Sequence, residues 1–457
     1  MNIGILGGGI SGLTLQRFLR HPSEVLEKEP ESGGLCRTFW KDGFGYDVGG
    51  HILFSKHHHV TDLVNCLLGE NISHCTRDNK ILFKGRYVKY PFENDLGSLE
   101  KQDCYDCLID YLKNDSPEPS NLEEWGYRAF GRSIAEKYFL PYNRKIWKTE
   151  PREMGLDWVG RVPQPPMEDV VKSALGIETE GYTHQLHFRY PLHGGFEALV
   201  KAIIADVSRV HCNSPVRSIR KNEDGWTVVA GQTTWQFDHL VLAFPIHEAI
   251  RCLGDVPVGV VDAVRSLRYN AIRVSLIAVN NESLLDRSAV YIPDSTVAPH
   301  RVCFMGFFSP NMVRPGTSSL VAETTVRSGD ATDRLSDGEF LDRVIGDLAR
   351  VGILREEDVI VRDTRRFEYA YPVHDQAHGR NTQVVRNYFT AIGIDLLGRF
   401  AEFDYINSDE CIRRALVLAE KLNRQTERCV GREIGSEWGS GCGEPSAITP
   451  LCSRVRP

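Results

Sequence analysis

An α/β fold interrupted by two insertions is what this chain of 457 residues predicts, on three observations. An apolar strand, a glycine-rich turn and a helix open the chain. Residues 98–190 carry helical periodicity and few strand signals. Residues 268–370 read as successive strands. The opening is Ile3-Gly4-Ile5-Leu6, then Gly7-Gly8-Gly9-Ile10-Ser11-Gly12, then Leu13 to Leu19 with apolar residues at helical spacing. In that context GxGxxG carries meaning: Gly7 allows the turn, Gly9 admits a pyrophosphate close to the backbone, and Gly12 lets helix and strand pack closely. The unpaired N–H groups and positive end of the helix favour a diphosphate there. Glu27 closes a second strand at about the ~20-residue offset where an acid holds a ribose hydroxyl. Two more glycine signals follow, Gly33-Gly34-Leu35-Cys36-Arg37-Thr38 and Asp47-Val48-Gly49-Gly50-His51. All three in this order are what a flavin-binding chain requires. The candidate cofactor residues in this region are Gly7, Gly9, Ser11, Gly12, Glu27, Lys28, Gly34, Leu35, Arg37, Gly49, Gly50 and His51.

The rest of the chain alternates in character. Residues 80–88 form a hairpin turning at Lys84-Gly85. Residues 99–112 read as a helix carrying Cys104 and Cys107. Asn121 caps the next helix, with Glu124 reaching back in a capping box. A helix from Gly195-Phe196 to Ala205 precedes strands over 216–219, 226–229 and 239–243, the last apolar enough for a buried parallel strand. Strands over 272–279, 289–292, 301–307, 320–326 and 359–367, with a helix over 337–351, make a second sheet that covers a cleft. Helix, turn and helix fill 378–424. The Gly-, Ser- and Pro-rich end is expected to be disordered. The domains expected are a discontinuous nucleotide-binding unit (1–95, 191–255 and 376–432), a helical insertion (96–190), a sheet domain (256–375) and a tail (433–457).

Composition narrows the function. Hydrophobic content of 42%, charged content of 25% and a net charge of -7 suit a soluble globular protein and argue against nucleic-acid binding. No apolar run of about 18 residues predicts a membrane span, and no secretory signal is read, so the expected location is cytoplasmic. The twelve cysteines are then expected to be thiols. The Cys104/Cys107 pair lacks partners for a zinc site, His57-His58-His59 reads as a polar turn, and no metal is expected.

Further motifs carry a family resemblance. They are Asp47-Val-Gly-Gly-His51-Ile-Leu-Phe-Ser55, Tyr90-Pro-Phe-Glu-Asn94, Pro141-Tyr-Asn-Arg-Lys-Ile-Trp147 and Trp158-Val-Gly-Arg-Val162. Phe188-Arg-Tyr-Pro191 before Gly194-Gly195, and Gly398-Arg399-Phe400 with Tyr405-Ile-Asn407, follow. In this order, across residues 1–424, the chain resembles the flavin-dependent UDP-galactopyranose mutases, especially their longer, eukaryotic-type branch. The resemblance implies a Rossmann-like FAD-binding domain, and an isomerase that interconverts pyranose and furanose forms of a nucleotide sugar. N5 of reduced FAD is then the nucleophile toward the anomeric carbon, and NADPH is the reductant in the eukaryotic-type branch.

By the same resemblance His51 lies against the flavin, and Arg161 and Arg301 stabilise the leaving diphosphate. Tyr291, Tyr371 and Tyr405 contact that diphosphate. Tyr90, Phe92, Asn143, Trp147 and Gln185 approach the sugar or nucleotide. Gln185 stands where relatives often have asparagine, and Phe403 where some have tryptophan. Val216 meets adenine, and Arg399, Asn407 and Ser408 meet the flavin side. A flavin oxidase of amine or porphyrinogen type shares the glycine motifs and is the alternative. The sugar, the nucleotide and the oligomeric state are not legible in the sequence.

Overall fold

The computed structural model describes residues 1–179, 186–284 and 286–434, with side chains as far as residue 424. The expected tail and Gln185 lie outside the described residues. A five-stranded parallel sheet runs in the order Ile394–Leu396, His239–Leu242, Ile3–Leu6, Ser23–Leu26, Val210–His211. Its central strands are buried on both faces, as their unbroken apolar runs require. The first strand pairs with His239–Leu242, beyond the helical insertion, and that strand pairs with Ile394–Leu396, beyond the sheet insertion, so the nucleotide sheet is complete only after both. Helix Ile10–Phe18 packs on this sheet and against the helix Ser408–Ile434. Gly12 permits that approach, since a Cβ there would stand 2.2 Å from the Gly7 carbonyl oxygen.

A three-stranded antiparallel sheet follows, Val216–Asn222, Gly225–Ala230 and Thr233–Phe237. Its third strand was not expected, because Thr-Thr-Trp-Gln-Phe shows little alternation and only Phe237 is buried. The seven-stranded sheet runs Val359–Pro372, Tyr269–Val279, Ser318–Val326, Arg301–Phe304, Ala289–Tyr291, Asn79–Phe83, Arg86–Lys89. The early hairpin therefore extends this sheet, through parallel pairing of Asn79–Ile81 with Ala289–Tyr291, and not the nucleotide sheet. That corrects its expected place in the 1–95 segment. The strand expected over 301–307 stops at Phe304 and turns into a helical segment, Met305–Phe308.

In the helical insertion, Asn121 Oδ1 accepts the Glu124 N–H at 3.0 Å. Glu124 does not reach back to Asn121; its carboxylate takes the Ser120 N–H and hydroxyl at 2.8 Å. Helix Leu122–Ile134 is broken at Gly131 (φ 72°), where a Cβ would meet the Asp110 carbonyl oxygen at 2.6 Å. A π-turn, Ala135–Phe139, then leads into helix Leu140–Trp147. His58 and His59 begin the helix His58–Leu68, with His57 at the N-cap position and making no side-chain cap bond, which corrects the expected polar turn. Cys104 and Cys107 are free thiols, and among the described residues no helix is long and apolar enough to cross a membrane.

Candidate active site

One cavity of about 330 Å³ lies where the nucleotide unit, the helical insertion and the seven-stranded sheet meet. Leu35 and Val48 to Ile52 form one wall, and Arg399, Asn407 and Ser408 extend it. Tyr138, Tyr142, Asn143, Trp147, Trp158 and Arg161 come from the insertion. Tyr291, Arg301, Glu323 and Tyr371 come from the sheet, with Tyr90 beside them and Tyr405 from the returning chain.

The loop at His51 is pinned by the sheet. Gly50 N–H donates to Glu323 Oε1 at 3.0 Å, and a Cβ on Gly50 would stand 2.3 Å from Cys303 Sγ. Beneath it, buried Asp47 accepts from Thr38 Oγ1 at 2.6 Å, Tyr190 OH at 2.6 Å and Phe196 N–H at 3.2 Å. His51 packs on Phe196 with ring centroids 4.9 Å apart, and its Nδ1 is buried without a hydrogen-bond partner. Burial first, and the Arg399 charge second, push its pKa down to about 4, so the imidazole is neutral.

The two proposed phosphate-binding arginines differ. Arg301 forms a bidentate pair with Glu323, Nε to Oε1 and Nη2 to Oε2, both at 2.7 Å. Burial would raise the Glu323 pKa; the Arg301 charge and hydrogen bonds overcome it and hold the carboxylate down at about 2. Arg301 therefore meets the cavity as half of a neutral pair. Arg161 is exposed and makes no ion pair among the described residues. It donates to the Tyr405 carbonyl and to Asn407 Oδ1, the latter at 2.7 Å, with its guanidinium 4.5 Å from the Tyr405 ring centre. Its charge is uncancelled. Arg399 points its donors at Ile406 O (2.8 and 2.5 Å) and Ala370 O (3.2 Å), so it braces the chain beside the cavity.

Other expected contacts sort differently. Trp147 Nε1 donates to Asn143 Oδ1 at 3.0 Å and Asn143 Nδ2 to Phe139 O at 2.8 Å, so the Asn143 amide ties Trp147 to the preceding turn of backbone. Phe92 is fully buried and stacks on Tyr138 with centroids 5.2 Å apart. It lies behind the wall, which corrects its expected substrate contact; its neighbours Tyr90 and Glu93 line the cavity instead. Tyr291 lies 5.0 Å from Tyr90 and 5.5 Å from Tyr142, ring centre to ring centre, and Tyr371 OH donates to Glu323 at 3.3 Å.

The opening glycines fit a dinucleotide. The N-terminus of helix Ile10–Phe18 has no side-chain cap, and a Cβ on Gly9 would meet nothing within 4 Å. Free N–H groups facing open space are what a pyrophosphate occupies. Glu27 is buried, and accepts from Gly8 N–H at 2.7 Å and Glu29 N–H at 2.9 Å, which fixes it at the turn. Gly33 N–H donates to Gly8 O at 2.7 Å, and a Cβ on Gly34 would lie 3.3 Å from Gly9 Cα, so the second glycine pair borders the first. Arg37 Nε donates to Gly34 O at 3.0 Å, leaving its Nη groups for a phosphate. Ser11 is buried against Gly398, where a Cβ would meet its Oγ at 2.6 Å. Val216 opens its strand nearby in sequence to Ser214, whose N–H donates to Glu27 O at 2.7 Å. Lys28 is exposed and pairs with Glu29. These residues suit the diphosphate of a dinucleotide.

Several cavity residues were not singled out from the sequence. Glu93 is 3% exposed, its Oε1 lacks a partner, and burial pushes its pKa up to about 8. Glu323 is the one charged residue in the fully buried strand Ser318–Val326, whose apolar run Leu320-Val-Ala322 leads directly into it. Arg77 lines the cavity with no ion-pair partner among the described residues, and no local pattern marks it.

Comparison with known proteins agrees with this geometry. Residues 167–374 match the family described as flavin containing amine oxidoreductase, and residues 5–67 match the NAD(P)-binding Rossmann-like domain. A solved structure of reduced UDP-galactopyranose mutase superposes with a TM-score of 0.85 at 23% identity, covering 93% of this chain and 94% of that one. A putative protoporphyrinogen oxidase from Exiguobacterium superposes at 0.75 with 19% identity, covering 93% of this chain and 99% of that one. The dTDP-fucopyranose mutase of Escherichia coli is 25% identical over 197 residues, 39% of this chain; the match spans 51% of that relative, about half its length. The fold is thus α/β with a Rossmann-like dinucleotide-binding domain, of the type seen in the flavin containing amine oxidoreductases. Within that type its structure resembles UDP-galactopyranose mutase more than the protoporphyrinogen oxidase.

Proposed function

We propose that this chain is an FAD-dependent mutase that interconverts the pyranose and furanose forms of a nucleotide sugar, UDP-galactose or a related NDP-hexose. The observation that carries the reading is the uncancelled charge of Arg161, stacked on Tyr405 in the wall of a cavity that Tyr371 and His51 also line. When bound and reduced, FAD supplies a nucleophilic N5 toward the anomeric carbon; NADPH is the reductant we infer. Arg161 exchanges its neutral acceptors, Tyr405 O and Asn407 Oδ1, for diphosphate oxygens and stabilises the departing charge. Arg301, held by Glu323, offers its remaining Nη1 donors in a fixed direction. Tyr291, Tyr371 and Tyr405 supply hydroxyls without adding charge. Neutral His51 accepts or returns a hydrogen bond at the flavin edge.

The domain roles follow: the nucleotide unit holds FAD, and the insertion and sheet hold the sugar nucleotide between them. The oxidase alternative rests on the amine oxidoreductase match over 167–374. Arginines and tyrosines around the cavity fit a diphosphate better than an amine. The test is to reduce the purified protein with dithionite, add UDP-galactofuranose, and follow interconversion by chromatography, repeating with other NDP-hexoses. Turnover only after reduction is expected. No turnover on any NDP-hexose, with oxygen uptake on an amine, would overturn the reading.

A further inference from the structure

Beside the active-site loop, and outside its cavity, His374 and His378 lie 3.8 Å apart, ring centre to ring centre, with planes 17° from parallel. Both are buried, 3% and 6% exposed, and the Nδ1 of each has no hydrogen-bond partner. A buried polar atom left unpaired costs about 1–3 kcal/mol, so two adjacent ones call for a ligand. Asp157 approaches from the loop that carries Trp158 and Arg161, with Oδ2 3.8 Å from His378 Nδ1. One ligand atom from each of the three residues lies within 4.8 Å of the others. His374-Asp-Gln-Ala-His378 also has the H-x3-H spacing used by zinc ligands.

We infer that Asp157, His374 and His378 form a binding site for a divalent transition metal of the zinc type. Two imidazole nitrogens and one carboxylate oxygen suit zinc, whereas magnesium and calcium prefer oxygen throughout. The outer contacts are suitable. His378 Nε2–H donates to Phe403 O at 2.8 Å, which leaves Nδ1 as a bare lone pair. Binding at His374 Nδ1 puts the proton on Nε2, 3.9 Å from Asp404 Oδ1; the contact given up is a 3.2 Å hydrogen bond from Tyr405 N–H. Ligand atoms on one tetrahedral zinc stand ~3.4 Å apart, given bonds of about 2.0–2.2 Å. Asp157, exposed and on a loop, supplies the needed adjustment, and solvent completes the set. Gly155 N–H already donates to His374 O at 2.9 Å, so the ion would fasten the Arg161 loop where it is already attached.

The test uses untagged, FAD-loaded, full-length protein stripped with EDTA and titrated with zinc against a chelating dye. Wild type is expected to bind one zinc per chain and to ignore magnesium, and cobalt is expected to give the visible bands of a four-coordinate ion. Asp157→Ala, which removes an exposed side chain, and His378→Gln are expected to weaken zinc by more than the ~10–100-fold that loss of an outer-shell partner costs. The flavin absorbance of both variants should be unchanged. Zinc binding equal in wild type and Asp157→Ala, or absent in wild type, overturns the assignment whatever the catalytic outcome.

Discussion

At the scale of single residues, two arginines that look equivalent in sequence should fail in different ways when removed. Arg161 is exposed and bonded only to neutral acceptors, so Arg161→Ala should raise KM and lower kcat while leaving the melting temperature near wild type. Unchanged kinetics would remove Arg161 from the site. Arg301→Ala instead strands the buried Glu323 carboxylate, a loss of about 3–5 kcal/mol that thermal melting will show. Two titratable groups lining the cavity, His51 and Glu93, give opposite pH slopes. His51 has a depressed pKa, about 4 against an ordinary 6.5, so the unfolded chain takes the proton first and stability falls as pH drops from 6.5 to 4. Glu93 has a raised pKa, about 8 against 4.5, so the unfolded chain loses the proton first and stability falls as pH rises from 4.5 to 8. Glu93→Gln keeps the shape and removes that titration. Its melting temperature should exceed that of wild type at pH 8 and converge with it near pH 4.5; parallel curves for the two proteins would show that Glu93 is ionised in the fold.

At the scale of elements, the Leu140–Trp147 helix decides where the insertion meets the sheet. Lys145 Nζ donates to Ile292 O, Asp294 O and Pro299 O at 2.8, 2.7 and 2.7 Å. Asn270 Nδ2 and Arg327 Nη2 hold the last carbonyl of the helix, Trp147 O, at 2.5 and 3.4 Å. Lys145→Met leaves three carbonyls without that donor. We expect a stability loss of about 1–3 kcal/mol and a higher KM with kcat nearly unchanged, because the tyrosines and Trp147 shift together relative to Tyr291. A change confined to kcat would rule out this positioning role. These anchors explain what was legible and what was not. Strands such as Ile3–Leu6 and His239–Leu242 announced themselves, since burial on both faces demands continuous apolar runs. Thr233–Phe237 and the three-residue strand Ile394–Leu396 did not, being mostly uncovered or too short to carry a period. Phe92 was misplaced for a related reason: a motif marks a segment, but only packing decides which neighbour faces the cavity and which faces the core.

At the scale of the molecule, local pattern reveals the nucleotide half of the site and conceals most of the other half. Glycine signals work through turn geometry, which nearby residues set. Glu323 and Tyr371 meet only because distant strands share one sheet, and Arg77 joins them from the connection just before Asn79–Phe83. The cavity has walls from all three parts, and the first strand pairs with His239–Leu242 only after the insertion has been threaded through. A ligand in that cavity therefore ties the parts together. Binding to the native state alone stabilises by RT ln(1 + [L]/Kd), about 2.7 kcal/mol at one hundred times Kd. UDP added to the FAD-loaded protein should raise the melting temperature and leave a single transition, since no wall can unfold without releasing it. In Arg161→Ala the shift should shrink, because the uncancelled charge that meets the diphosphate is gone. Uridine, lacking the diphosphate, should give a small shift that is the same in both proteins. Equal shifts with UDP in wild type and Arg161→Ala would mean that the diphosphate lies elsewhere, and the reading of this cavity as a sugar-nucleotide site would fall with it.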